Sequence, residues 1–203
     1  MSNDNIMDSK NTEKIIAEAK KVFLRYGFRR TTMADLAEAA QMSRPALYLI
    51  FPSKEDVFIA VAERFIADML AEVRQGIPPL KTPAQKLTFA FNVWCVRPFE
   101  LIQASPDAND LFESGCGSAS EALLRAKAYF IKAKTEFETI IADVLKPLVR
   151  EQSKVKLTAQ KIAEILCRAA HGFKETASNT AELRQMLDDH LILVLAALGH
   201  RKE

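Results

Sequence analysis

An all-α fold follows from three observations. Only 6 of the 203 residues are glycine, and no stretch alternates apolar and polar residues between turn signals as a strand would. Apolar residues recur instead at spacings of three and four. Serine and threonine stand just before several of these stretches, where a helix cap belongs. At 49% hydrophobic content the chain can bury a core, either as one large domain or as two small ones.

Residues 1–11 are polar and uncapped, and read as a disordered lead-in. From Thr12, the residues Ile15, Ala19, Val22, Phe23 and Tyr26 form one helical stripe, closed by Gly27 in the left-handed position past a helix end. Arg29 and Arg30 follow in a loop, where they are either a solvated surface pair or a clamp on a phosphate backbone.

Residues 31–54, TTMADLAEAAQMSRPALYLIFPSK, place two short capped helices in a space too small for a core of their own. Thr32 with Asp35 makes a capping box ahead of Met33. Met33, Leu36, Ala37 and Ala40 give that helix its apolar face. Gln41 and Met42 interrupt, Ser43 caps a second helix over about 44–50, and Pro45 falls in its first turn, where a missing N–H costs nothing. Pro52 stops it, and Ser53 with Asp56 caps the next. Leu47 and Phe51 share one side of the second helix, while Arg44, Pro45, Ala46, Tyr48 and Leu49 occupy its start and other sides. A short helix with a cation, small residues and a tyrosine near its start suits the DNA major groove. Between Lys20 and Lys54 stand seven basic residues and two acidic ones, a local charge of +5 in a chain of net +2.

The run 15–65, IIAEAKKVFLRYGFRRTTMADLAEAAQMSRPALYLIFPSKEDVFIAVAERF, resembles the DNA-binding domain of TetR-type transcriptional regulators. The YGF-x-x-TT-x-x-x-LA and LY-x-x-F-P-S-K-E runs carry the resemblance, which covers about the first third of the chain. It implies a three-helix helix-turn-helix DNA-binding domain over 12–56, followed by a helical ligand-binding and dimerisation domain over 57–203. It also implies that Thr32, Tyr48 and Lys54 hold phosphates and that Arg44 and Pro45 face bases; Ser43, Ala46 and Leu49 complete the expected DNA-binding set. Three positions depart from the family pattern. Gln41 stands where glycine is usual in the turn, so the turn either avoids positive φ or stores strain. Pro45 replaces a glycine, and Leu49 with Ile50 replaces a polar or aromatic pair, which removes expected phosphate contacts.

The helix after Ser53 carries two adjacent apolar rows, Val57, Val61, Phe65, Met69 and Val73 beside Phe58, Ala62, Ile66 and Leu70, so it packs on two sides. It ends at Gly76-Ile77-Pro78-Pro79, and a linker runs to Pro83. A helix rich in large apolar groups is expected over 83–104, with a kink or break at Pro98. A turn at 105–107, a short helix over 108–113, a glycine loop around Cys116, and a long helix from Ser120 toward Pro147 follow. Bulky aromatics such as Phe91, Trp94, Phe130 and Phe137 are usual in cores and also line small-molecule sites. The resemblance implies an effector in this region. The candidate ligand-binding set is Phe65, Met69, Phe91, Trp94, Cys95, Arg97, Phe130, Phe137 and His171, with Asp110 a further polar candidate.

Thr158 opens a helix carrying Ile162, Ile165, Leu166, Ala169, Ala170 and Phe173. After Ser178-Asn179-Thr180 the last helix carries Leu183, Met186, Leu187, His190, Leu191, Val194 and Leu198. Small residues among leucines suit close helix packing. Either these residues close the monomer core, or, as the resemblance implies, Ile162, Leu166, Ala170, Phe173, Met186, Leu187, His190, Leu191 and Val194 form a homodimer interface.

No phosphate-cradling glycine loop, His-Glu-x-x-His helix or metal-spaced cysteine pair is present, so no catalytic, metal or cofactor site is expected. Apolar runs fall short of the ~18 residues of a membrane span, and the polar N-terminus lacks an apolar signal core, so a cytoplasmic protein is expected. Cys95, Cys116 and Cys167, an odd number, fit a reducing compartment. The expected partners are a near-palindromic double-stranded operator, an unknown small-molecule effector and a second copy of the chain, the whole acting as a repressor. A sequence-tolerant DNA-packaging protein and a helical protein-interaction module are the competing readings.

Overall fold

The computed structural model describes residues 3–104, 121–149 and 156–200, with side chains described from residue 10 onward except at 121–124 and 126. Every regular element among them is helical. They are α1 (Asn3–Arg30), α2 (Met33–Ala39), α3 (Arg44–Ile50), α4 (Lys54–Gly76), α5 (Pro83–Phe91), a π-helical turn (Asn92–Val96), α6 (Arg97–Ala104), α7 (Glu121–Leu145), a 3-10 turn (Lys146–Leu148), α8 (Ala159–Thr176) and α9 (Thr180–Ala197). The expected turn at 105–107, the helix over 108–113, Asp110 and the loop of Cys116 lie outside the described residues. No helix among the described residues is long and apolar enough to cross a membrane.

The chain divides into two compact units, Met1–Ile66 with Leu101–Phe130, and Ala67–Glu100 with Ile131–Glu203. In the first, Ile15, Ala19, Val22 and Phe23 of α1 pack with Leu36, Ala37, Leu47, Phe51, Val57 and Val61 into one core. Phe23, Phe28 and Phe58 meet edge to face or tilted, with ring centroids 5.1 to 6.0 Å apart. α1 differs from expectation at its start, because it is helical from Asn3 rather than from Thr12. Extending an existing helix fixes one residue per new hydrogen bond and needs no second nucleus. Gly27 breaks it as expected, at φ 73° and ψ 167°. That conformation is extended rather than left-handed helical and is nearly confined to glycine. The buried Thr31 hydroxyl donates to the Gly27 carbonyl at 2.7 Å and closes the break.

One contribution to this unit was not legible in the sequence. The start of α7 belongs to it, and Arg125 Nη2 donates to Asp56 Oδ1 at 2.9 Å in the first turn of α4. In the second unit, the last residue of α4, Gly76, is glycine for space rather than for a left-handed backbone: a Cβ there would stand 2.2 Å from Phe89 Cζ. The expected break at Pro98 takes the form of the π-helical turn just before it, where Arg97 N–H donates to the Asn92 carbonyl. Inserting one residue into the ladder accommodates the proline ring and its missing N–H. Arg184 of α9 holds this turn, donating to Asn92 Oδ1 at 2.6 Å and Glu100 Oε1 at 2.7 Å.

Candidate nucleic-acid interface

Every cap expected in the first unit is formed. Thr32 Oγ1 accepts from Asp35 N at 3.3 Å, while Asp35 Oδ2 accepts from both the Thr32 N–H and the Thr32 hydroxyl at 2.8 Å. These bonds hold the Asp35 carboxyl below its ordinary range. Ser43 Oγ accepts from Ala46 N at 3.3 Å and so starts α3. Ser53 Oγ accepts from Asp56 N at 3.1 Å and donates to Asp56 Oδ2 at 2.7 Å, starting α4. The turn between α2 and α3 is a Schellman motif, with Met42 N–H donating to the Ala37 carbonyl and Gln41 N–H to the Glu38 carbonyl, both at 2.9 Å. Gln41 is its left-handed residue, at φ 57°. Of the two possibilities open in the sequence, stored strain is the one realised.

α3 has two distinct sides. Leu47 is fully buried and Phe51, its C-cap, is 8% exposed, both in the core. Ser43, Arg44, Pro45, Tyr48 and Leu49 face solvent, Tyr48 at 50% and Leu49 at 88% exposure, and Ala46 is half-buried. The structure therefore brings together on one face the residues that the sequence places at the groove. Arg25, Arg29 and Arg30 are also exposed on this unit.

Two of the expected phosphate contacts are otherwise engaged. The Thr32 hydroxyl proton is given to Asp35, so a phosphate would have to compete with the cap. Lys54 Nζ donates to the Phe28 carbonyl at 2.8 Å and lies 4.3 Å from the Phe28 ring centroid. An ammonium has three N–H groups, so Lys54 keeps donors for a second partner while tying α4 to the end of α1.

The ligand-binding candidates fall in both units. Phe65 and Phe130 belong to the first, and Phe130 is exposed. In the second unit Phe91, Trp94 and Phe137 come together: Trp94 stacks on Phe137 at 4.6 Å and Phe91 meets it edge-on at 5.5 Å. Met69 and Cys95 are buried. Arg97 is exposed and paired with Glu72 at 2.6 Å, and His171 is exposed. Burial pushes the Cys95 thiol up to about 11 and raises the Cys167 thiol as well, so both stay protonated and unreactive.

The dimer candidates also divide. Ile162, Leu166, Ala170, Leu187 and Leu191 are buried within the chain's own core, whereas Phe173, Met186, His190 and Val194 are half-buried. Ile165, Ile192 and Leu193 are the large apolar groups that α8 and α9 expose, and only Ile165 stood in the expected apolar rows. The heptad-like rows carried the signal, but one chain alone does not say which of two adjacent rows faces its own core.

Residues 15–61 match the family of bacterial regulatory proteins described as the tetR family. The chain is 31% identical over 83 residues to the HTH-type transcriptional activator FasR of Mycolicibacterium smegmatis, covering 41% of this chain and 37% of that protein. It is 43% identical over 49 residues to the HTH-type transcriptional repressor ComR of Escherichia coli, covering 24% of this chain and 23% of that one. The match thus spans well under half the length of these curated relatives. Among solved structures, Thermus thermophilus FadR, a TetR-family repressor in complex with lauroyl-CoA, is 26% identical with a TM-score of 0.58, covering 95% of this chain and 97% of that one. A TetR-family regulator of Mesorhizobium loti shares the fold at 17% identity and a TM-score of 0.68, covering 93% and 96%. Residues 15–61 are thus a tetR-family domain, in a chain whose fold over nearly its whole length is similar to that of solved TetR-family regulators.

Proposed function

We propose that the protein is a homodimeric, ligand-responsive transcriptional regulator that represses from a near-palindromic operator and is released by a small-molecule effector. The observation that carries this reading is α3 itself, whose core side is buried while Arg44, Pro45, Tyr48 and Leu49 are presented to solvent within the stretch 20–54, which has a local charge of +5. Two such helices related by a two-fold axis would enter major grooves about 34 Å apart. Residues 12–56 would read DNA, and 57–203 would supply the effector and dimer surfaces, with Ile165, Ile192 and Leu193 facing the second copy.

The aromatic group of Phe91, Trp94 and Phe137 supports an apolar effector. The lauroyl-CoA bound by Thermus thermophilus FadR points the same way, toward an apolar acyl group. α4 contributes residues to both units, so an effector that displaces its later turns would disturb the turn that holds Lys54 and Asp56. Release requires that the effector bind the two conformations with different affinity. The reading places the protein in the cytoplasm, with its DNA.

The test is selection of bound sequences from random duplex DNA by the full chain, followed by affinity for the winner and for scrambled DNA across salt concentrations. A two-fold-symmetric motif with a large specificity ratio is expected. Binding that ignores sequence and falls uniformly with salt would replace this reading with a DNA-packaging protein. On the selected operator, Arg44→Ala should cost ~1–3 kcal/mol of discrimination at one base pair, and Tyr48→Phe should weaken binding to all sequences alike.

A further inference from the structure

We propose that Leu49, supported by Pro45, reads the C5-methyl group of a thymine in each operator half-site, beside the base pair contacted by Arg44. The inference rests on the DNA-binding reading above and adds to it a specificity determinant.

On α3, residues four apart share a row, so Arg44 and Tyr48 form a row with polar tips and Pro45 and Leu49 form an apolar one. Leu49 is 88% exposed, more than any other large hydrophobic residue among those described. Its side chain has no hydrogen-bonding atom and cannot hold a phosphate. Its neighbours on the exposed face, Arg44 and Tyr48, carry a charge and a hydroxyl, so Leu49 does not belong to a broad apolar patch of the kind that docks another protein. Seven basic residues against two acidic ones over 20–54, with Arg25, Arg29, Arg30 and Arg44 exposed, favour a polyanion as the partner of this segment. Within the major groove of such a polyanion, the one apolar group on a base edge is the thymine methyl. An isobutyl group on the helix face and a methyl on the groove floor are matched in size and polarity. The pyrrolidine ring of Pro45, one turn earlier, extends the same surface.

The test uses the full chain and the operator selected as above, with each thymine replaced singly by deoxyuridine. That change deletes the methyl group and leaves every hydrogen-bonding edge in place. One thymine per half-site should stand out, its replacement weakening the wild-type protein about fourfold, as expected for one buried methyl. The Leu49→Ala protein should bind the thymine and deoxyuridine operators equally. Because Leu49 is solvent-exposed, this variant should keep the helical circular dichroism of the parent. An operator that is bound specifically but has no such thymine would overturn the inference and leave the regulator reading standing. A thymine effect of the same size in Leu49→Ala would also overturn it, assigning the methyl contact to another residue. Failure to select any motif would remove the regulator reading and this inference together.

Discussion

The Schellman turn at Gln41 allows a measurement of strain with an internal control. The same motif closes α9, where Gly199 N–H donates to the Ala196 carbonyl at 3.0 Å and His200 N–H to the Leu195 carbonyl at 2.8 Å. There the left-handed residue is Gly199 at φ 81°, and a Cβ added to it would meet nothing within 4 Å. A side chain in the left-handed region costs roughly 1–2 kcal/mol, and glycine's freedom in the unfolded chain returns about 0.4–1 kcal/mol of that. Gly199→Ala should therefore destabilise by about 0.5–1 kcal/mol through the backbone alone. Gln41→Gly should stabilise the helix-turn-helix unit by a similar or smaller amount, because it also loses the contact from Lys14 Nζ to Gln41 Oε1 at 3.3 Å. Gln41→Val should be worse than the parent, since β-branched residues resist positive φ most. Urea midpoints at constant m-value would give the ordering, and hydrogen exchange at the Leu47 and Phe51 amides would localise the effect. If valine matched glutamine and glycine gave no gain, the left-handed backbone at position 41 would not be costing anything and the argument would fail.

Gly76→Ala would place a Cβ into the Phe89 ring, so overpacking should cost about 1–3 kcal/mol, and Phe89→Leu in the same chain should recover most of it; a lowered midpoint that Phe89→Leu does not restore would refute the clash. Thr32→Ala should lose about 1 kcal/mol by removing the α2 cap, read from urea unfolding, with no loss expected if Asp35 alone sufficed. His190 lies edge-on to Phe173 with a buried Nε2 that has no hydrogen-bond partner among the described residues, and burial holds its pKa below the ordinary 6.5. The unfolded chain then binds the proton more readily, so His190 favours folding fully above about pH 6.5 and progressively less as pH falls through its folded value. His190→Leu should flatten that acid-side loss in urea midpoints measured against pH, and parallel pH curves for parent and variant would refute the assignment.

The elements that could be read from sequence are those fixed by contacts a few residues apart. Thr32 with Asp35, Ser43 before Pro45, and Ser53 with Asp56 are local pairs, and each forms the cap its spacing implies. The division of α3 into a buried Leu47 and an exposed Leu49 follows equally from local periodicity. What could not be read depends on residues far apart in the chain. Arg125 reaching Asp56, and Arg184 spanning Asn92 and Glu100, join positions separated by 69 to 92 residues, and nothing near either arginine announces its partner. The π-helical turn was visible only as trouble at Pro98, because a proline states that the ladder must be interrupted without stating how. The apolar rows of α8 and α9 were visible too, yet placing Ile162 and Leu191 in the chain's own core, with Ile192 and Leu193 left exposed, required knowing which row packing within the chain uses.

A helix of seven residues such as α3 is far too short to persist alone, so its stability comes from what surrounds it. Ser43 satisfies its first amides, Pro45 presets its first turn, and Leu47 fastens it to the core, where truncation to alanine would cost roughly 2–5 kcal/mol. None of Arg44, Tyr48 and Leu49 shares in that work. The residues that build the helix and those that would read DNA overlap at Ser43 and Pro45, whereas at Arg44, Tyr48 and Leu49 base preference can change without loss of fold. Thr32 shares both roles as well. Its hydroxyl is a cap acceptor and gives its proton to Asp35, so a phosphate drawing on that proton would weaken the cap that starts α2. At Thr32 binding and folding would draw on the same proton, so substitutions there should affect both together.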